Sequence, residues 1–314
     1  MKKTVLMLTS TIVVLVAILW WGGALQWPVA PEYEVRQTIG KHGEGPGQFD
    51  EPTGIAVHGN LVYVSDARNG RIQMFDEGEP NRIFGQQIVE RPMNLSIRDG
   101  LLYVADYFTD SIEVFDLDGN HRKSISAADG LNSPGGVDVF ADGSVLVADT
   151  YNHRVVHLDA DGSVLRQWGK AGKAGRGRDE FRYPTDVAIL PDGGFVVAGG
   201  YTHRIKRFDA DGKLREIWGG PFALGIPGSL PGWFNVASSI ALAPDAESVF
   251  VVDMFNQRVQ RFSLDGDLLG IFDRPPVEPG RSLVGIDAAA DGTVWTTDMT
   301  RHEIVRWGSL DRDR

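Results

Sequence analysis

Four polar side chains hold matching places in repeated segments of this chain. Asn94 and Asp186 each stand two residues after a proline, Pro92 and Pro184. Asp138 stands four residues after Pro134, and Asp287 four after Leu283, which occupies the same place in its own segment. Side chains alternate along a strand, so even offsets put all four on one face of their strands. Carboxylates brought together repel unless a proton, water or a cation intervenes. Such an oxygen-rich set suits a hard divalent cation, Ca2+ or Mg2+. These four are candidate ligand-binding residues, and the sequence establishes no cofactor beyond that donor chemistry. No Ser-His-Asp motif or phosphate-cradling glycine loop has an identifiable context.

A second group is aromatic and cationic. Arg68, Tyr107, Phe108, Tyr151, Tyr201 and Phe255 all fall within one recurring seven-residue motif, and Trp233 lies in a long connection between repeats. Exposed aromatics mixed with arginine favour recognition of a partner. Arg68, Tyr107, Tyr151, Tyr201, Trp233 and Phe255 are therefore candidate ligand-binding residues as well. His153, His203 and His302 share the fifth motif position, but they come from different repeats and read as structural rather than metal-binding.

The motif fixes the elements that must carry these residues. It begins at Asp66, Asp106, Asp149, Gly199, Asp253 and Asp298, and its seventh residue is aliphatic in every copy. Five of the six copies start with Asp, which reads as turn chemistry at a strand end, where the carboxylate can bond backbone N–H groups. Each copy follows a short apolar run such as Val62-Tyr63-Val64 or Val145-Leu146-Val147, with another strand upstream and a third and fourth downstream. Asp118-Gly119, Asp161-Gly162 and Asp211-Gly212 mark turns. Four antiparallel strands repeated radially make a β-propeller blade, and six copies predict six blades. The last unit stops after its third strand, at Trp307. The segment Val35-Arg36-Gln37-Thr38-Ile39-Gly40-Lys41 matches the fourth strand Val164-Leu165-Arg166-Gln167-Trp168-Gly169-Lys170. The N-terminal strand is thus expected to complete blade six and to close an otherwise open edge.

Asn152-His153-Arg154-Val155 after Val147-Ala148-Asp149, with the approach Gly43-Glu44-Gly45-Pro46-Gly47-Gln48-Phe49 before Pro52, resembles the NHL-repeat family of β-propellers over about residues 33–308. The resemblance implies an all-β, six-bladed propeller; it does not choose between a binding module and an enzyme. The peptide-amidating lyases, six-bladed relatives, place zinc-binding histidines just after the inner-strand proline. The corresponding residues here are Thr53, Met93, Gly135, Thr185, Ser238 and Val284, and none is His. Gluconolactonase-like propellers use a Glu, Asn and Asp set around the channel, and this chain has no matching Glu.

Residues 1–30 differ in kind. Lys2 and Lys3 precede an uncharged run through residues 4–25, with Trp20, Trp21 and Trp27 towards its far end. The run is long enough to span a bilayer, and paired lysines opposite tryptophans set its orientation. The expectation is a single-pass transmembrane helix with residues 31–314 forming a propeller on the extracytoplasmic side. A cleaved signal peptide ending near Gly22-Gly23-Ala24 is the alternative. With no cysteine, disulfide usage does not identify the compartment. The propeller carries −13, the whole-chain −11 without Lys2 and Lys3. This repels phosphate backbones and argues against nucleic acid as a partner. The function expected is binding or scaffolding of a protein, peptide or saccharide, the alternative being a metal-dependent hydrolase or lyase at the channel mouth.

Overall fold

The computed structural model describes residues 32–275 and 282–310, so the expected N-terminal anchor lies outside the described residues. Among the described residues no helix is long and apolar enough to cross a membrane. They form six four-stranded antiparallel sheets. Blade one runs from inner to outer strand through Pro52–His58, Leu61–Asp66, Arg71–Asp76 and Glu79–Phe84. Blade two uses Pro92–Arg98, Leu101–Asp106, Ser111–Asp116 and His121–Ile125; blade three Gly136–Val139, Val145–Asp149, Arg154–Leu158 and Val164–Gly169. Blade four uses Asp186–Ile189, Phe195–Ala198, Ile205–Phe208 and Leu214–Trp218; blade five Ala237–Leu242, Ser248–Asp253, Arg258–Ser263 and Leu268–Asp273.

Blade six is closed as expected. Leu283–Ala288, Val294–Asp298 and Glu303–Ser309 are joined by the N-terminal strand Tyr33–Ile39, which pairs antiparallel with the last strand in a register from Tyr33 opposite Ser309 to Ile39 opposite Ile304. Strand edges that would otherwise be exposed are thereby paired.

The second strand of each blade is buried almost throughout, as at Val145–Asp149 and Ser248–Asp253, because neighbouring sheets cover both of its faces. Apolar clusters fill each gap between blades; Ile112, Val114, Val137, Val147 and Val156 form one of them between blades two and three.

The inner strands have no fifth strand to pair with, so their channel-facing N–H and C=O groups need other partners. Side chains supply many of them from the adjacent blade. Thr53 Oγ1 donates to the Pro92 carbonyl, Thr150 Oγ1 to Pro184, Thr185 Oγ1 to Ala237, Ser238 Oγ to Val284 and Thr297 Oγ1 to Thr53, all at 2.7–2.9 Å. Between blades two and three, the Asn94 N–H donates to the Gly135 carbonyl at 3.2 Å. This chain of bonds links every blade to the next around the ring.

Candidate ligand-binding site at the channel mouth

The repeated motif is architectural. Asp149 is fully buried, and its carboxylate accepts from the Asn132 N–H, Asn152 Nδ2 and Arg154 Nε, the last at 2.6 Å. Arg154 continues to Asp129, Gln167 and the Gly130 carbonyl, which ties down the connection entering the blade. Asp66–Asn69–Arg71 and Asp253–Asn256–Arg258 repeat the arrangement. The fifth motif residue is left-handed in every copy, with Gly70, Asp110, His153, His203, Gln257 and His302 at φ 54–57°. From that position Nδ1 of His153, His203 and His302 accepts the N–H of Tyr183, Val236 and Glu51, at 3.3, 3.1 and 3.3 Å. An N–H donor at Nδ1 requires the neutral ring with its proton on Nε2. Burial lowers the pKa of His153 and His203, which favours the same form.

The four channel residues meet in one cavity of about 270 Å³. A hydrogen bond from Asn94 favours the charged form of Asp186, while the charge of Asp138 disfavours that of Asp287. Each carboxylate already serves the next blade. Asp138 Oδ2 accepts the Ile189 N–H at 2.7 Å, Asp186 Oδ2 the Ile240 N–H at 2.9 Å, and Asp287 Oδ2 the Val57 N–H at 2.8 Å. Ser96 and Ser239 hydroxyls donate to Asp138 and Asp186. Burial pushes Asp186 up to about 7 and Asp287 up to about 6, outweighing the donors that favour their charged forms. Among the described residues, these carboxylates do not form a trio with ligand atoms within 4.8 Å of one another.

Above this layer, on the face carrying the motif loops, a second cavity of about 480 Å³ opens at the channel mouth. Its floor includes Met93, Met254, Met299, Val236 and Val284. The hydroxyls of Thr53, Thr150, Thr185 and Ser238 are turned to neighbouring carbonyls, so the floor presents mainly apolar surface. Along one wall stand four tyrosines edge to face: Tyr107–Tyr151 at 5.7 Å between ring centres, Tyr151–Tyr183 at 5.2 Å and Tyr183–Tyr201 at 5.6 Å. Burial, with hydrogen bonding to Tyr151, pushes the Tyr107 phenol up to about 12, so it stays protonated. Arg182 lies at the rim, exposed. Tyr151 and Tyr201 are also exposed, at 46% and 40% of their surfaces. This is large, rigid, water-accessible aromatic surface beside a cation.

Of the sequence-derived candidates, Tyr107, Tyr151, Tyr201 and Asn94 line the mouth cavity, and Asn94 with Asp138, Asp186 and Asp287 lines the channel cavity beneath it. The other three lie outside both linings. Arg68 is ion-paired with Glu51 at 3.0 Å, Trp233 covers Gly228 within its own loop, and Phe255 is exposed on the blade-five loop. Sequence reasoning missed Arg182, Tyr183 and the three methionines. The signal for the first two was their place directly before Pro184, at the end of the long connection of residues 170–183.

The NHL repeat family model matches residues 49–75, 131–158 and 181–208, the starts of blades one, three and four. Protein brain tumor of Drosophila melanogaster is 30% identical over 141 residues, covering 42% of this chain and 14% of that protein's length. Among solved structures, a streptogramin B lyase aligns with a TM-score of 0.63 at 15% identity over 89% of this chain and 98% of its own. Virginiamycin B lyase from Staphylococcus aureus gives 0.61 at 17% over 90% of each chain. A structure of unknown function from Bacteroides thetaiotaomicron gives 0.65 at 13%, covering 89% of this chain and 76% of its own. At such identities these three show the fold alone. The chain is a six-bladed propeller that carries NHL repeats.

Proposed function

We propose that this chain is a binding module, held at a membrane by its N-terminal segment, that recognises a protein or peptide through the channel mouth. The tyrosine wall beside an apolar floor and Arg182 carries the reading. Tyr and Arg are the residue types that dominate interface energetics, and aromatic rings supply contact area at low entropic cost. NHL propellers commonly bind proteins, which supports a protein over a saccharide partner. The anchor and the extracytoplasmic location rest on Lys2, Lys3 and the uncharged run of residues 4–25. A metal-dependent hydrolase or lyase has less support, because the channel carboxylates that would hold Ca2+ or Mg2+ are already engaged by backbone N–H groups.

The test compares partners co-purified with the full-length wild type, with Tyr151→Ala/Tyr201→Ala, and with an Asp161→Arg control on the opposite face. Loss of a partner in the double variant alone, at unchanged melting temperature, supports the reading. A partner set lost only in the control, or unchanged in both, overturns it.

A further inference from the structure

The junction between blades six and one holds a group of side chains that its counterparts lack. Gly40, Gly169 and Gly219 are equivalent: each packs against the carbonyl of a motif histidine (His302, His153 or His203) and against Phe49, Phe181 or Phe234. Two residues after these glycines stand His42, Ala171 and Pro221. The residue following each phenylalanine by one is Asp50, Arg182 or Asn235. Each junction uses its motif histidine to accept a backbone N–H. Only the first adds a second imidazole and a carboxylate. His42 Nε2 and His302 Nδ1 each lie 3.8 Å from Asp50 Oδ1, and the two rings meet edge to face at 4.6 Å. Among the described residues this is the trio of His, Asp or Glu side chains with ligand atoms within 4.8 Å of one another.

We propose that His42, Asp50 and His302 bind a borderline divalent transition metal, Zn2+ above all, and that the ion fastens the ring where the closing strand and the last motif loop meet blade one. Two imidazoles and one carboxylate are a zinc donor set, and water would complete a tetrahedron. With zinc–ligand bonds of about 2.0–2.2 Å, tetrahedral ligand atoms lie roughly 3.3–3.5 Å apart, so the 3.8 Å separations close with small side-chain rotations. His42 is the most exposed of the three, its side chain 68% exposed. Binding through His302 Nδ1 exchanges its long bond from the Glu51 N–H for a metal bond. His42 follows the strand that closes blade six, Asp50 precedes blade one, and His302 lies in the last motif loop. The ion would therefore bridge residues more than 250 positions apart in sequence. Calcium and magnesium prefer all-oxygen sites, so this site discriminates against them.

The test is titration of the chelator-treated full-length protein with ZnCl2 by calorimetry, with CoCl2 as a spectroscopic probe. The expected result is one equivalent bound, a raised melting temperature through binding to the folded state, and visible Co2+ bands of a four-coordinate site. Outer-shell partners of metal ligands alone are worth about 10–100-fold in affinity, so His42→Ala should weaken binding at least about a hundredfold. Because His42 is exposed, that variant should keep the metal-free melting temperature. Asp50→Asn should weaken Zn2+ similarly, and His157→Ala should not. Absence of stoichiometric Zn2+ binding, or full retention of it in His42→Ala, overturns the proposal.

Discussion

Arg154 is fully buried with its guanidinium divided between Asp149, Asp129 and a backbone carbonyl. Removing one partner of a buried pair leaves the other charge uncompensated, so Arg154→Ala is expected to cost about 3–5 kcal/mol by denaturant titration. Arg68→Ala, an exposed pair with Glu51, should cost less than about 1 kcal/mol. The titrating residues act in opposite directions. For His153 and His203 the folded pKa lies below the ordinary 6.5 because burial disfavours the imidazolium. The unfolded chain therefore takes the proton first. The stability these neutral rings contribute is whole above about 6.5 and is lost as pH falls through that value towards the folded pKa. His203→Gln should shrink this acid-side loss of melting temperature. Asp186 is raised from 3.8 to about 7, so the folded state takes the proton first. Its contribution falls as pH rises from 3.8 through 7. Asp186→Asn deprives one backbone or hydroxyl donor of its acceptor at any pH but also removes the buried charge. The wild type should therefore exceed this variant in melting temperature by more at pH 5 than at pH 8. An equal gap at both values would reject the shift.

At the scale of elements, the closing strand is decisive. Among the described residues, Tyr33–Ile39 supplies the only partner of one edge of Glu303–Ser309, and Tyr33 packs on Phe250 and Phe272. Deleting residues 33–39 should lower the melting temperature of the whole domain, since an open edge also invites misassociation; equal melting of both forms would exclude this role. Blade four tests the motif from another side. Gly199 replaces the strand-ending Asp, and Arg204 has its Nε buried without a partner among the described residues, while Lys206 is buried with Nζ on three loop carbonyls. Burial pushes Lys206 down to about 7. The six blades, their strand order and the closure were legible because strand periodicity and the Asp motif repeat in register. The site was legible only in part. Tyr107, Tyr151 and Tyr201 stood out as motif residues that the turn does not need. Tyr183 and Arg182 lie outside the motif, and only the ring geometry swings their loop to the mouth. The channel carboxylates line one cavity, but their partners are N–H groups of the adjoining blade, which no single repeat encodes.

For the whole molecule, topology fixes the face on which Tyr33 enters the ring. Glu303–Ser309 runs from the motif-loop face to the face of the short turns, and Tyr33 sits opposite Ser309. The chain therefore enters blade six on the turn face, the side opposite the tyrosine wall. An anchor formed by residues 4–25 would hold the turn face towards the bilayer and leave the mouth facing outward, open to a partner. The absence of cysteine makes this directly measurable. Phe108→Cys marks the mouth face, where Phe108 is 59% exposed, and Ala290→Cys marks the exposed blade-six turn. In intact cells an impermeant maleimide should label both, because the propeller is expected outside the cytoplasm. With an environment-sensitive fluorophore attached, headgroup-located quenchers should act on position 290 and leave position 108 unaffected. Labelling only after lysis would place the propeller in the cytoplasm. Equal quenching at the two positions would show that the mouth does not face away from the membrane.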